Sequence, residues 1–324
     1  MKRIDLFKLC FTRLCLLLIL TLLYTNIWAQ LSDGIRVADP TIFYDDETYY
    51  LYGTADSEQQ KGFKVYTSSD KKNWKDAGIA LKTGDVFGTA GFWAPQVFRY
   101  RNRFYMAYVA NERIAIAESE SPLGPFIQKV KMEIKAPVKM IDPFVFFDSG
   151  KIYLYHVRLN DGNRIYVSEL EADLSAIKEQ TTIICIQATE PWENTNGANW
   201  KVTEGPTVLK IDHTYYLFYS ANDFRNPDYA VGYASSDNPL GPWKKYKENP
   251  VLSKVQTGEN GTGHGDFFTD KKGKLNYVFH THESNQKANG KRRTAMIEMG
   301  FKPIKGKEPI FWINTGSFYF LKYQ

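Results

Sequence analysis

The chain is 324 residues long, 43% hydrophobic and 24% charged, and carries 21 Phe, 21 Tyr and 7 Trp. Its formal net charge is +5, but Lys2, Arg3, Lys8 and Arg13 against Asp5 place most of that excess at the very start. The remainder is close to neutral, and its one short basic run, Lys291-Arg292-Arg293, is too small to attract a polyanion, so nucleic acid is excluded as the natural partner.

Taken in chain order, residues 1–29 read as an export signal. Basic residues precede an apolar stretch over residues 14–23, and small Ala29 stands before Gln30. That stretch is about half of a bilayer span. Cleavage after Ala29 is expected, leaving residues 30–324 as one periplasmic or secreted domain without a membrane span; an uncleaved anchor is the alternative. Cys15 sits inside the apolar run rather than behind it, which argues against a lipid-attachment site. Cys10 and Cys15 leave with the signal, and Cys185 alone cannot form an internal disulfide. Its β-branched setting, "TTIICIQ", predicts a buried, inert strand thiol. Such a domain must hold together by its aromatic-rich core.

Past the signal the sequence repeats itself. "DPTIFYDDETYYLY" begins at Asp39, "APQVFRYRNRFYMAY" at Ala94, "DPFVFFDSGKIYLY" at Asp142 and "GPTVLKIDHTYYLFY" at Gly205. In each copy a tyrosine stands ten residues after the proline (Tyr50, Tyr105, Tyr153, Tyr216), followed by Leu51, Met106, Leu154 or Leu217. A looser fifth copy starts at Gly263. Each phrase predicts a hairpin: a Val/Ile/Phe strand, a polar turn and a Tyr-rich return strand. Segments such as "YTSSDKKNW", "AESESPLGPF" and "YASSDNPLGPW" then supply a third strand, a turn and the start of a fourth. The prolines recur about every fifty to sixty residues, so five such units consume the chain. Radial repetition of four-stranded antiparallel units is how a propeller protects its sheet edges. The expected fold is therefore all-β, a five-bladed β-propeller around a central channel. A β-sandwich also has many short strands, but it does not repeat one phrase at a regular spacing.

In a propeller the innermost strand of every blade runs along the channel, so the residues that open the repeats form a ring. These are Asp39, Ala94, Asp142, Glu204 beside Gly205, and His264. A single Asp-Pro pair is ordinarily a turn. Three carboxylates gathered at one mouth are unfavourable unless something uses them, and they suit glycoside hydrolysis. There one carboxylic acid protonates the leaving oxygen, a carboxylate base activates water, and a third acidic group can raise the pKa of the acid.

The phrases "VADPTIFYDDETYYLYGT", "FWAPQVF", "IDPFVFFDSGKIYLY", "TEGPTVLKIDHTYYLFYSA" and "GTGHGDF" resemble glycoside hydrolase family 43, over essentially all of residues 30–324. The resemblance implies inversion at the anomeric carbon, with Asp39 as general base, Glu204 as general acid and Asp142 as pKa modulator and orienter. Inverting enzymes hold acid and base roughly 6.5–9.5 Å apart. It implies a carbohydrate substrate, a pentoside of the α-L-arabinofuranosyl or β-D-xylosyl type, and no cofactor for the chemistry. Trp93 is expected to stack on the sugar. Arg292, rather than its neighbour Arg293, is expected to reach substrate from the last blade. His264 resembles the family's central-channel histidine, which either approaches a bound calcium through water or shapes the pocket floor. His280 and His282 alternate on one strand and share a face, and the sequence leaves open whether that face sees the pocket. Two alternatives stand beside this reading: a propeller that only binds glycan or protein, and a same-fold hydrolase of another sugar such as galactan or fructan. The intact acidic trio weighs against the first. The absence of an Asn-Asp-Pro-Asn-Gly opening at "VADPTIF" weighs against a retaining fructan hydrolase.

Overall fold

The computed structural model describes residues 34–55, 61–286, 290–304 and 307–324, so the export signal expected over residues 1–29 lies outside the described residues. The first sheet holds β1 (Val37–Asp45), β2 (Thr48–Ala55), β3 (Gly62–Ser68) and β4 (Asn73–Lys82). The second holds β5 (Trp93–Tyr100), β6 (Arg103–Ala110) and β7 (Arg113–Ser119). The third is built from β8 (Met140–Asp148), β9 (Lys151–Leu159), β10 (Asn163–Glu169) and β11 (Ile183–Ile186). The fourth comprises β12 (Thr203–Ile211), β13 (Thr214–Ala221), β14 (Ala230–Ser236) and β15 (Lys244–Lys245). The fifth has β16 (Gly263–Thr269), β17 (Leu275–His282), β18 (Arg292–Ile304) and β19 (Lys307–Phe320). The first strand of each sheet touches the first strands of the sheets on either side, β1 to β5, β5 to β8, β8 to β12, β12 to β16 and β16 back to β1. That closed circuit of inner strands makes the molecule a five-bladed β-propeller.

The repeat seen in the sequence is a repeat in pairing register. Phe43 faces Tyr50, Phe98 faces Tyr105, Phe146 faces Tyr153 and Leu209 faces Tyr216. The following residues, Leu51, Met106, Leu154 and Leu217, point the other way and are fully buried, as period-two alternation demands. Tight loops fix this register. Asp46-Glu47, Arg101-Asn102 and Ser149-Gly150 all have positive φ, which matches the twist of a two-residue hairpin. Apolar clusters between neighbouring blades are rich in fully buried rings, among them Phe63, Phe92, Tyr108, Phe126, Tyr155 and Phe218. Each such ring contributes about 1.5–3 kcal/mol by leaving water.

Two details depart from uniform four-stranded blades. Blade two has three strands, and its outer edge is covered by a Glu118–Ile127 bridge and by the Ile134 N–H donating to the Ile114 carbonyl at 2.8 Å. Blade one gains a fifth strand, β20 (Lys322–Tyr323), parallel to β4. Because β19 belongs to blade five and β20 to blade one, the C-terminal chain spans the seam. Ile35 N donates to Leu321 O at 3.0 Å, Thr294 N donates to Ile35 O at 3.0 Å, and the Thr294 hydroxyl donates to Val37 O at 2.8 Å. Both ends of the described chain thus latch the ring. Cys185, expected to be buried, lies on outer strand β11 and is partly exposed, packed against the core of blade three. No helix among the described residues is long and apolar enough to cross a membrane.

Candidate active site

Every inner strand opens with the same irregularity. Asp39 (φ 47°), Ala94 (44°), Asp142 (54°), Gly205 (60°) and His264 (41°) all sit in the left-handed region. At each the pairing register slips, between Ala38 and Thr41, Trp93 and Gln96, Ile141 and Phe144, Glu204 and Thr207, and Gly263 and Asp266. These are β-bulges, which re-aim a side chain at the end of a strand. Each non-glycine member carries about 1–3 kcal/mol of backbone strain that the surrounding sheets must overcome. In blade four the anchor is glycine for a steric reason as well: a Cβ on Gly205 would lie 2.9 Å from the His264 ring.

One cleft at the channel mouth is lined by Asp39, Trp93, Asp142, Glu204, His264 and Arg292, so all six residues singled out from the sequence meet there. Glu204 does not belong to the ring of anchors. It stands one residue earlier, where blade two has Trp93 and blade three has Ile141, and it meets the cleft from the wall. Arg293, on the other side of β18, instead stacks on Phe320 with its guanidinium carbon 3.5 Å from the ring centroid.

Asp39 is 9% exposed, and both of its carboxylate oxygens meet polar side chains. Oδ2 accepts from the Thr54 hydroxyl at 2.6 Å. Oδ1 lies 3.3 Å from His264 Nδ1, 3.4 Å from His280 Nδ1 and 3.5 Å from an Arg292 nitrogen. Burial works to raise its pKa, but the charges of His264 and Arg292 and the Thr54 hydrogen bond hold it down at about 2. His280 is itself pushed well below the usual imidazole range by burial and by Arg292. Its Nδ1 accepts the Asp39 N–H at 3.1 Å, so its hydrogen is on Nε2, and the ring stacks on Tyr229 at 5.7 Å. His282 is also buried, with Nε2 2.8 Å from the Phe224 carbonyl. The face shared by the two histidines therefore backs the site, with His280 against the Asp39 carboxylate.

The other two carboxyls are perturbed in the opposite direction. Burial and the Asp39 charge push Asp142 up to about 7 against the Gly205 N–H, which donates to its Oδ2 at 3.1 Å. Burial and the Asp142 charge push Glu204 up to about 7, against the charge of His264 and the hydroxyl of Tyr229. Tyr229 meets Glu204 Oε1 at 2.9 Å, and Asn163 Nδ2 donates to Oε2 at 3.0 Å. Because the Asp142 charge is part of what raises Glu204, ionisation of Asp142 favours keeping the proton on Glu204. The fixed N–H on Asp142 favours its ionised form, whereas the Tyr229 hydroxyl can donate or accept. Opposite pKa displacements on neighbouring acids are the arrangement that acid–base division of labour requires.

Several contributors were not singled out from the sequence: Thr54, Asn163, Trp200, Phe224, Arg225 and Tyr229. Trp200 had a visible signal in "NWKVTEGP", four residues before Glu204. Thr54 and Asn163 are ordinary polar strand residues, and Tyr229 an ordinary loop residue ahead of β14, until the chain folds. Beneath the cleft the residues two beyond the anchors form a second ring, in which Asp266 accepts from the Thr41 and Thr207 hydroxyls at 2.7 Å each. These donors do not fit a directly ligated calcium, which takes six to eight oxygens. Both Asp266 oxygens are already engaged, His264 Nδ1 faces Asp39, and among the described residues no group of three or more His, Cys, Asp or Glu is placed to hold a metal. His264 lies in the cleft between Asp39 and Gly205.

Residues 34–303 match the family described as Glycosyl hydrolases family 43. The chain is 25% identical over 287 residues to a β-D-galactofuranosidase of Aspergillus niger, covering 82% of this chain and 79% of that protein. It is 26% identical to a xylosidase/arabinosidase of Bacteroides ovatus, covering 66% and 78% respectively. Among solved structures, an endo-1,4-β-xylanase of Bacteroides thetaiotaomicron superimposes with a TM-score of 0.83 at 40% identity, covering 90% of this chain and 98% of that one. Five blades, a carboxylate trio at the mouth and a match over nearly all of the described chain agree: the protein belongs to glycosyl hydrolases family 43 and is a glycoside hydrolase.

Proposed function

We propose that the protein is an exported, inverting hydrolase that releases α-L-arabinofuranosyl or β-D-xylosyl units from plant-type polysaccharides or their fragments. The observation that carries the chemistry is the contrast between an Asp39 carboxylate held near pKa 2 and a Glu204 carboxyl raised to about 7 in one cleft. Asp39, ionised, takes a proton from water as the water oxygen bonds to the anomeric carbon. Glu204 gives its proton to the glycosidic oxygen, which departs with the electron pair of the broken C–O bond. Asp142 supplies the negative charge that keeps the proton on Glu204. Arg292 and His264 orient Asp39, and Trp93 offers an aromatic face to the sugar ring. No cofactor is required for this chemistry, and a calcium reached from His264 through water, which the resemblance implies, would be structural.

The pentose assignment draws on the xylosidase/arabinosidase and the endo-1,4-β-xylanase among the similar proteins. The β-D-galactofuranosidase supports a second reading, a hexofuranoside. A panel of nitrophenyl α-L-arabinofuranoside, β-D-xyloside and β-D-galactofuranoside, with arabinan and xylan oligosaccharides, separates them. Proton NMR of the first-released sugar reads the stereochemistry: an inverted anomer is expected, and a retained one overturns the mechanism. Hydrolysis of none of these substrates would favour a glycan-binding propeller. N-terminal sequencing of protein recovered outside the cytoplasm tests export, with Gln30 as the expected first residue.

A further inference from the structure

Trp200 stands at the cleft rim, 52% exposed, and its indole N–H is committed inward. It donates to Asn163 Oδ1 at 2.9 Å, and Asn163 Nδ2 in turn donates to Glu204 Oε2 at 3.0 Å. An indole nitrogen can only donate, so it fixes which end of the amide faces it and leaves the NH2 group, also only a donor, toward the carboxyl. The opposite oxygen, Oε1, meets the hydroxyl of fully buried Tyr229 at 2.9 Å. Tyr229 can present either a hydrogen or a lone pair.

The placement of Asn163 is itself built in. It begins β10 in blade three, yet its N–H donates to the Lys201 carbonyl at 2.8 Å, and its own carbonyl accepts from the Thr203 hydroxyl at 3.0 Å. Gly162 (φ 114°) permits this close approach, since a Cβ there would lie 2.7 Å from Lys201 O. A hairpin end of one blade is thereby pinned to the strand that carries the acid of the next.

We propose that Trp200 is a positioning residue for the acid, locking the Asn163 amide so that it donates to Glu204 Oε2 and leaves Oε1 as the oxygen that carries the proton to the leaving group. A protonated oxygen is a poor acceptor, so a fixed donor on Oε2 disfavours protonation there. When the proton passes from Oε1 to the glycosidic oxygen, the electron pair of the O–H bond stays on Oε1, and both carboxylate oxygens are then met by donors. Trp200 thus acts on proton delivery as well as on any sugar that rests against its ring. The inference deepens the proposed mechanism and rests on Glu204 being its acid.

The test compares glycosides that differ only in their leaving group. Good leaving groups, such as dinitrophenolate, depart without protonation, whereas alkyl or sugar leaving groups need the acid. For Trp200→Phe, which keeps an aromatic face but has no N–H, kcat on an unactivated glycoside relative to a dinitrophenyl one is expected to fall about tenfold. The alkaline limb of the pH profile is expected to move upward, because a hydrogen bond that favours the carboxylate is weakened. Asn163→Ala should produce the same pattern, and the double variant should add little to it. If Trp200→Phe lowers both substrates alike with the limb unmoved, or changes neither, Trp200 is at most a sugar platform and the inference is overturned. Glu204→Gln separates this from failure of the underlying mechanism. If it retains turnover of the unactivated glycoside, Glu204 is not the acid; if it loses that turnover while Trp200→Phe behaves as wild type, only the relay fails. Thermal melting of each variant identifies loss of fold as a separate cause.

Discussion

Thr54 joins the proposed base to the neighbouring blade. Its hydroxyl donates to Asp39 Oδ2 at 2.6 Å and accepts the Ala94 N–H at 2.9 Å, so the carboxylate of blade one is oriented by the bulge of blade two. Thr54→Val keeps the shape and removes both bonds. Leaving buried polar groups unpaired is expected to cost about 1–3 kcal/mol of stability. The Asp39 carboxyl, losing a donor that lowers its pKa, should move up, so the acidic limb of kcat/KM should shift to higher pH. A melt and a pH–rate profile of the variant measure the two effects.

The wild-type profile should be asymmetric. As the proposed base, Asp39 must be ionised and is held at about 2, so activity should persist into acid until the fold itself fails. As the proposed acid, Glu204 must be protonated and is raised to about 7, so activity should decline as pH rises through neutrality. Asp39→Asn and Glu204→Gln should each lower kcat on unactivated glycosides by roughly a hundred- to ten-thousand-fold. A profile rising through pH 7 to 9 would contradict the assignment of acid and base.

Stability should respond to the same groups with opposite signs. Asp39 has a depressed folded pKa, so its contribution is present above its ordinary value of 3.8 and is lost as pH falls from there toward 2. Glu204 is raised from 4.5 to about 7, so the folded state binds more protons than the unfolded one across that window, and stability falls as pH rises through it. Glu204→Gln removes that penalty. Its melting temperature should match wild type near pH 5 and exceed it at pH 8, with a gap that grows with pH and corresponds to on the order of 1–3 kcal/mol.

Gly205→Ala should be costly on two counts. The position has φ 60°, and the added methyl would sit 2.9 Å from the His264 ring, which must then move away from Asp39. A loss of about 1–3 kcal/mol is expected from the backbone alone. Turnover should fall with it, and kcat measured well below the melting temperature separates misplacement of His264 from unfolding.

Much of this architecture was legible in the chain because propeller blades are locally built. Tyr50, Tyr105, Tyr153 and Tyr216 announce their hairpins through a register that depends only on residues within the same phrase. Asp39 and Asp142 could be grouped because rotational repetition turns equal positions along the chain into neighbours around an axis, and Glu204 because it adjoins the equal position, Gly205. Thr54, Asn163 and Tyr229 could not, since each is an unremarkable strand or loop residue whose partner belongs to another stretch of chain. The ring closure was equally hidden. Nothing in "FLKY" distinguishes a strand that stays in blade five from one that crosses to β4, and the choice appears in the Lys322 N–H donating to the Lys72 carbonyl at 3.3 Å and the Gln324 N–H donating to the Trp74 carbonyl at 2.9 Å.

By itself, then, the sequence determined a five-fold all-β repeat with acidic groups at its openings, because hairpin register and turn chemistry are short-range properties. The tertiary structure alone decided what those acids are. Asp39 is a strong acid because His264 and Arg292 from blade five and the Thr54 hydroxyl surround it. Glu204 is a weak one because it is buried one residue off the ring, beside the charge of Asp142. A carboxyl's pKa depends on desolvation and on charges a few ångströms away through space, and the folded chain sets those distances.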